Sequence, residues 1–347
     1  MSIPPIGRAR GALLGLAVGD ALGTTHEFAA LAAPPFPRLA TGPLTDIVGG
    51  GPFGLIAGQV TDDTQMACCL AASLRERGTY DPIDAAKRYL AWSRHAFDIG
   101  TLTSASLSLL GHVGIPADAG RRAWQQMGRD SAGNGSLMRT APIGVFYATR
   151  EALRREASLA DSAITHFDPR CRIACAAFNA AIALAVAERA SAPLLADAAL
   201  REVASSAALL RERHLDLRHE VDQAEGALLL DLEAARRDDP ELYGPSLHMQ
   251  REAGFVRVGF RLAFWEALHA PTFSAGLIDV ANRGGDADTN CAIAGALLGA
   301  LHGEESIPCS WRDRVLSALQ DGAPHPLRDA YHPKELLRLL DAVDLGT

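Results

Sequence analysis

Two short segments concentrate oxygen-bearing side chains at spacings that suit metal chemistry. Gly58–Met66 reads GQVTDDTQM, and Gly284–Asn290 reads GGDADTN. Each sets carboxylates and a threonine after flexible glycine, leading into the helix-periodic runs 64–77 and 289–302. Capping explains one such side chain per helix, because Thr, Asp and Asn satisfy free backbone N–H groups and Asp suits the helix dipole. Thr61, Asp62 and Asp63 with Asp286, Asp288 and Thr289 exceed that need. Carboxylates held this close repel one another unless a cation neutralises them. Neither cluster contains His or Cys, which argues against zinc and for Mg²⁺ or Mn²⁺. Asp286-x-Asp288-x-Asn290 opens like a calcium loop. Such a loop needs Gly next and Glu at its twelfth position, where this chain has Cys291 and Leu297. Two oxygen clusters far apart in sequence can jointly hold two ions. A two-ion site grips vicinal hydroxyls or phosphates and orients water, so the chemistry narrows to hydrolysis or group transfer on a sugar or phosphate ester.

The elements that must position these residues read as helices. Residues 82–96 carry Pro82 at a helix start and apolar residues at i, i+3, i+4 spacing. Residues 151–163, 169–190, 193–213, 217–236, 254–270, 287–302 and 308–319 read the same way. Alternating β-branched runs are almost absent, so an all-α architecture is expected. Near the start, Gly11, Gly15, Gly19 and Gly23 repeat every four residues and form one ridge. Glycine costs about 1 kcal/mol against alanine inside a helix, so this ridge predicts very close packing of a neighbouring helix. Asp20 and Glu27 lie at or beyond its end. Residues 30–58 form the longest irregular stretch, and 237–250 form a second loop. Neither reads as a hinge, so residues 1–347 are expected to form one domain.

Composition excludes several classes. The chain has 347 residues, 48% hydrophobic, with 33 Lys+Arg against 41 Asp+Glu and a formal net charge of -8. That rules out a disordered chain and argues against a sequence-independent grip on nucleic acid. Cys68, Cys69, Cys171, Cys175, Cys291 and Cys309 include no CxxC and read as reduced thiols of a cytoplasmic protein. No segment is read as crossing a membrane: Asp20 interrupts the first apolar run, which is shorter than the roughly 20 residues a span needs.

The motifs, taken in order, resemble the ADP-ribosylglycohydrolase family, and most of all its bacterial branch. They are Gly11–Phe28 (GALLGLAVGDALGTTHEF), Gly58–Met66, Gly133–Arg139 (GNGSLMR), Ile164–Pro169 (ITHFDP) and Asn282–Ala294 (NRGGDADTNCAIA). Together they reach from about residue 7 to 303. The resemblance implies an all-α, orthogonal multi-helix domain around a cleft with two Mg²⁺ or Mn²⁺ ions. It implies cleavage of the bond between ADP-ribose and an acceptor, with arginine on protein favoured. By residue match, Thr61, Asp62, Asp63, Asp286, Asp288 and Thr289 would hold the ions, with Asp288 bridging. Glu27 would transfer the proton, and Asp98 would orient the acceptor or protonate the ribose. Gly133, Asn134, Gly135, Ser136, His166, Phe255 and Gly285 would bind ADP-ribose. After Asp98 the chain departs from the family pattern: Thr101-Leu102-Thr103-Ser104 replaces a Thr-Thr-Arg-like run, which puts acceptor contacts in doubt.

The chemistry fits that assignment. Breaking the anomeric bond of the distal ribose develops oxocarbenium character, so a carboxylate outside the metal shell is needed for proton transfer. Hydrolysis of a serine, O-acetyl or nucleic-acid linkage remains open, as do a non-catalytic ADP-ribose-binding regulator and a metal-dependent phosphohydrolase. The protein is expected to act as a monomer on ADP-ribosylated protein.

Overall fold

A computed structural model describes residues 5–29, 42–188, 190–239, 253–318, 329–343 and 345. The 30–41 part of the first expected loop and most of the second lie outside these residues. The helices run α1 (Pro5–Gly23), α2 (Asp62–Arg77), α3 (Pro82–Ser93), α4 (Thr101–Val113), α5 (Pro116–Gln126), α6 (Ala141–Phe146), α7 (Glu151–Thr165) and α8 (Pro169–Glu188). They continue with α9 (Ala192–Arg213), α10 (Arg218–Ala235), α11 (Val256–His269), α12 (Phe273–Ala281), α13 (Ala287–His302), α14 (Cys309–Ser317) and α15 (Pro333–Leu337). Among the described residues there is no strand, only two isolated bridges, Gly50–Leu55 and Gly133–Phe255.

The centre is an antiparallel pair, α1 on α13. A Cβ on Gly11, Gly15, Gly19 or Gly23 would overlap the carbonyl oxygens of Gly299, Gly295, Cys291 and Ala287 in turn. The fit is reciprocal: a Cβ on Gly295 or Gly299 would strike the Gly15 or Gly11 carbonyl. The glycine ridge therefore does what its spacing predicts, and its partner is the helix that carries the second acidic cluster. Backbone contact of this kind fixes the two helices in register, because neither can slide without a clash. The C-terminal end of α1 is thereby set beside the N-terminal end of α13.

Around this pair pack α2, α8, α11 and α12. Helix α8 has the length and hydropathy of a membrane span, with mean hydropathy 1.5, yet 83% of that window is buried inside the protein. It carries Arg170 and Arg172 and is enclosed by α6, α7, α9 and α10, which makes it a core helix. Five of the six cysteines are buried and free, and Cys309 is exposed. The run 101–126 forms α4 and α5, and α5 buries Pro116, Ala119, Gly120, Ala123 and Trp124 along one face. Residues 273–281 form α12, with the Thr272 hydroxyl accepting from the Ala275 N–H at 3.1 Å.

Candidate active site

The two acidic clusters meet because three helix ends meet. Thr61 stands at the N-cap of α2 and Asp286 at that of α13, yet neither side chain caps its own helix. Asp20, on α1, does that work for α2. Its Oδ1 and Oδ2 accept from the Thr61 N–H at 3.0 and 3.1 Å, and Oδ2 accepts from the Thr64 N–H at 3.1 Å. The hydroxyls of Thr61 and Thr64 also donate to Asp20, at 3.0 and 2.6 Å. A carboxylate taken from another helix thus satisfies the free donors at the start of α2. The result frees Asp62 and Asp63 from capping and locks them against the α1–α13 pair.

The carboxylates then crowd. One oxygen each from Glu27, Asp98 and Asp288 lies within 4.8 Å of the others. Asp62 stands close to Asp98, and Asp288 close to both Glu27 and Asp286, so that each pair would have to share a proton or a cation. Thr61 Oγ1 lies 2.8 Å from Asp63 Oδ2 and 3.4 Å from Asp288 Oδ2, besides its contact with Asp20. One hydroxyl proton cannot serve three carboxylates. The cleft of about 250 Å³ at this point is lined by Glu27, Asp62, Asp98, Asp286 and Asp288, with no Lys or Arg among the described lining residues.

This crowding raises every acid in the group. Burial, then Asp98, Asp286 and Asp20, push Glu27 up to about 9. Burial and then Asp286 raise Asp98 to about 6. Burial lifts Asp20 to about 6 against the opposing hydrogen bonds from Thr64 and Thr61. Asp62, Asp63 and Asp288 stand well above the usual carboxylate range and Asp286 above it, in each case chiefly through burial. Glu27 Oε2 and Asp63 Oδ1 are buried with no hydrogen-bond partner. Orphaned carboxylate oxygens, paired carboxyls and an oxygen-only donor set are what a hard cation needs, so the residues fit a metal.

The opposite wall comes from residues 133–138 and the end of α7. Asn134 ties three parts together: its Nδ2 donates to Asp286 Oδ2 at 2.7 Å, and its N–H donates to the Gly254 carbonyl at 2.9 Å. Gly133, Asn134, Gly135 and His166 line the cleft. His166 Nδ1 lies 2.8 Å from Thr165 Oγ1, and burial with the nearby Arg139 charge pushes the ring down to about 3, so it is neutral. Arg139 is fully buried beneath them. It donates to the Gly135 carbonyl at 3.2 Å, Thr165 Oγ1 at 2.8 Å and Asp161 Oδ2 at 3.1 Å, and it stacks on Tyr89. Arg139 therefore positions the wall from behind and does not face the cleft.

The structure thus brings Glu27, Asp98, Asp62, Asp286, Asp288, Thr289, Gly133, Asn134, Gly135 and His166 to one cleft. Thr61 and Asp63 lie directly behind them. Ser136, Phe255 and Gly285 are not among the described residues that line this cleft. The Ser136 hydroxyl is fully buried and pairs with Ser162 Oγ at 2.9 Å. Phe255 flanks the Gly133 bridge and packs beneath Arg170 and Arg257. Gly285, at φ 69°, makes a backbone clamp: its carbonyl accepts from Phe28 N–H at 2.6 Å, and its N–H donates to the Ala29 carbonyl at 3.0 Å. That clamp holds the Glu27 segment against the Asp286 loop. It also keeps Phe28 at φ 58° with its ring 65% exposed on the rim of the cleft.

With this geometry in place, comparison with known proteins identifies the fold. The family profile described as ADP-ribosylglycohydrolase matches residues 1–340. The chain belongs to that family. It is 31% identical over 321 residues to ADP-ribosylarginine hydrolase Tri1 of Pseudomonas putida, covering 89% of this chain and 74% of that protein. It is 30% identical over 317 residues to ADP-ribosyl-[dinitrogen reductase] glycohydrolase of Rhodospirillum rubrum, covering 89% of this chain and 90% of that one. A solved ADP-ribosylglycohydrolase-related protein complex superposes with a TM-score of 0.67 at 30% identity, over 97% of this chain and 98% of that one. The all-α architecture expected from the sequence is that family's fold, and the protein is a hydrolytic enzyme of the ADP-ribosylglycohydrolase class.

Proposed function

We propose that the protein removes ADP-ribose from arginine on protein, with two Mg²⁺ or Mn²⁺ ions held by Thr61, Asp62, Asp63, Asp286, Asp288 and Thr289. The observation that carries this reading is a cleft whose charged lining is carboxylate alone, at the meeting of α1, α2 and α13. When bound, such ions supply positive charge that orients the ribose hydroxyls and a water.

The chain's own residues supply the rest. Glu27, which bound cations would hold ionised against the burial and neighbouring carboxylates that raise it, takes a proton as water adds to the anomeric carbon of the distal ribose. The C–N bond breaks, the guanidine leaves as a neutral group, and it recovers that proton to become guanidinium. Atoms and charge balance without a second acid. Asn134 steadies Asp286, while His166, kept neutral, offers a ring nitrogen to the ligand without adding charge. The acceptor side suits arginine. Its guanidinium enters a cleft lined by carboxylates, and the exposed Phe28 ring on the rim presents a face for cation–π contact. The names of the Pseudomonas putida and Rhodospirillum rubrum relatives support the same linkage class.

The test compares arginine-linked with serine- and acetyl-linked ADP-ribose. Phe28→Leu should raise KM for the arginine substrate about fivefold, since a partly exposed cation–π contact is worth about 1 kcal/mol. Phe28→Tyr should restore it. An unchanged KM in Phe28→Leu removes Phe28 from the acceptor site, and faster release from another linkage removes arginine.

A further inference from the structure

A second cavity, about 760 Å³, opens on another side of the molecule where α6, α7, α8 and α9 meet. It is larger than the catalytic cleft, and its lining mixes guanidinium with carboxylate groups where the cleft has carboxylates and no Lys or Arg among the described lining residues. Arg154, Arg155 and Arg201 line it, together with Glu151, Glu188, Glu202, Thr149 and Ser205. The charges there are unequally matched. Arg155 takes one buried and one exposed acid, donating to Glu202 Oε2 at 2.9 Å and to Glu151 Oε1 at 2.7 Å. Arg154 is only 8% exposed and makes no ion pair with any described residue. Its Nε has no hydrogen-bond partner, and its Nη1 reaches only the Tyr147 and Ala148 carbonyls, at 3.4 and 3.5 Å.

Glu202 and Glu151 lie near enough to act on Arg154 but are bonded to Arg155, which leaves the buried Arg154 guanidinium without a direct ion pair; its planar fork matches an oxyanion in two parallel bonds. Burial lowers the Arg154 pKa. The Tyr147 and Ala148 carbonyls at the end of α6 offer partial charge only. Arg201 also lines the cavity and has no partner among the described residues, so Arg154 and Arg201 both keep guanidinium N–H groups to offer a ligand. The volume exceeds what an inorganic ion fills and falls in the range of small-molecule sites.

We infer that this cavity binds a small organic oxyanion, a phosphate ester or a carboxylate, with Arg154 as the buried anchor and Arg201 as the outer contact. Arg154 lies in the first turn of α7 and His166 caps its far end, 12 residues on. That is about 18 Å of helix, so the cavity is chemically separate from the catalytic cleft.

The experiment uses the full chain stripped of divalent metal, so that the catalytic cleft repels anions instead of attracting them through bound ions. Thermal unfolding is followed during titration with pyrophosphate and, separately, with tricarballylate, against chloride at matched ionic strength. A saturable rise in Tm with one oxyanion and not with chloride is expected, and whichever of the two saturates at lower concentration names phosphate or carboxylate. Arg201→Ser is an exposed substitution that leaves the core untouched, and it should weaken the effect about tenfold, the loss of one charge-assisted contact. Arg154→Met should abolish it. If Arg154→Met does not fold, the Arg201→Ser comparison decides alone. Equal responses to oxyanion and chloride, or an Arg201→Ser titration that overlays the wild type, would overturn the proposal.

Discussion

The catalytic cleft and the layer directly beneath it use the same residue types to opposite ends. In the cleft, Glu27, Asp62, Asp98, Asp286 and Asp288 face one another with no described cation among the lining residues. Beneath it, Asp161 is equally buried but is matched by Arg139 at 3.1 Å and by the Tyr89 hydroxyl at 2.8 Å. Both Asp161 oxygens have donors, whereas Glu27 Oε2 and Asp63 Oδ1 have none. The difference separates structure from function. Matched charges hold the wall in place, and unmatched ones wait for a metal and a substrate. Breaking the first should cost stability, and breaking the second should cost activity while relieving repulsion.

The largest effect should come from Asp288→Ala. Asp288 contacts both Glu27 and Asp286, so kcat/KM for ADP-ribose release should fall about a thousandfold or more. Circular dichroism and the Tm of the metal-free protein should stay at or above the wild-type values. A variant that loses activity only because it unfolds would contradict the comparison.

Next is Glu27→Gln. This change keeps the shape and the Gly285 clamp but removes the proton acceptor, so kcat should drop about a hundredfold or more with ligand affinity retained. Wild-type kcat in this variant would move the proton transfer to another group, with Asp98 the neighbour to examine.

Arg139→Met probes the lower layer. It strands Asp161 as a buried, unpaired carboxylate and releases the Gly135 and Thr165 contacts, at a cost of about 3–5 kcal/mol in unfolding free energy. Chemical denaturation measures it. A neutral result would mean the pairing beneath the cleft is ornamental.

The smallest effect is the response of the metal-free protein to pH. Asp20 and Asp98 titrate near 6 when folded, well above their unfolded values. Groups raised in this way favour the fold fully below about pH 4, and that support is lost as pH rises through about 6. The Tm of the stripped protein should therefore fall between pH 4 and 7, and added Mg²⁺ or Mn²⁺ should flatten the curve. A metal-free Tm that rises across this window would contradict the assigned shifts.

Much of this was legible before any coordinates. The four-residue glycine period announced a backbone-close helix pair, because only close approach repays four glycines in one helix. The acidic clusters announced a shared site, because their carboxylates outnumber the caps required. What one-dimensional reading missed is non-local. Asp20 reads as an interruption of an apolar helix, and only the fold shows it capping α2 from α1. Arg139 ends the GNGSLMR motif with nothing in the sequence to say which way it points, and the fold buries it beneath the wall. Ser136 sits in the right motif, yet a tight turn carries its hydroxyl inward to Ser162. A signal for Asp20 did exist: it stands amid the apolar run beside Gly19 of the packing ridge, and an acid buried there needs donors.

The central claim is that unmatched carboxylates at the α1–α2–α13 junction hold metal and cut the ADP-ribose bond. The direct measurement is release of free ADP-ribose from arginine-, serine- and acetyl-linked substrates, each with Mg²⁺, with Mn²⁺ and with chelator. Release from the arginine-linked substrate that requires metal and disappears in Asp288→Ala is the predicted result. Release that persists in chelator, or that survives Asp288→Ala, would contradict it.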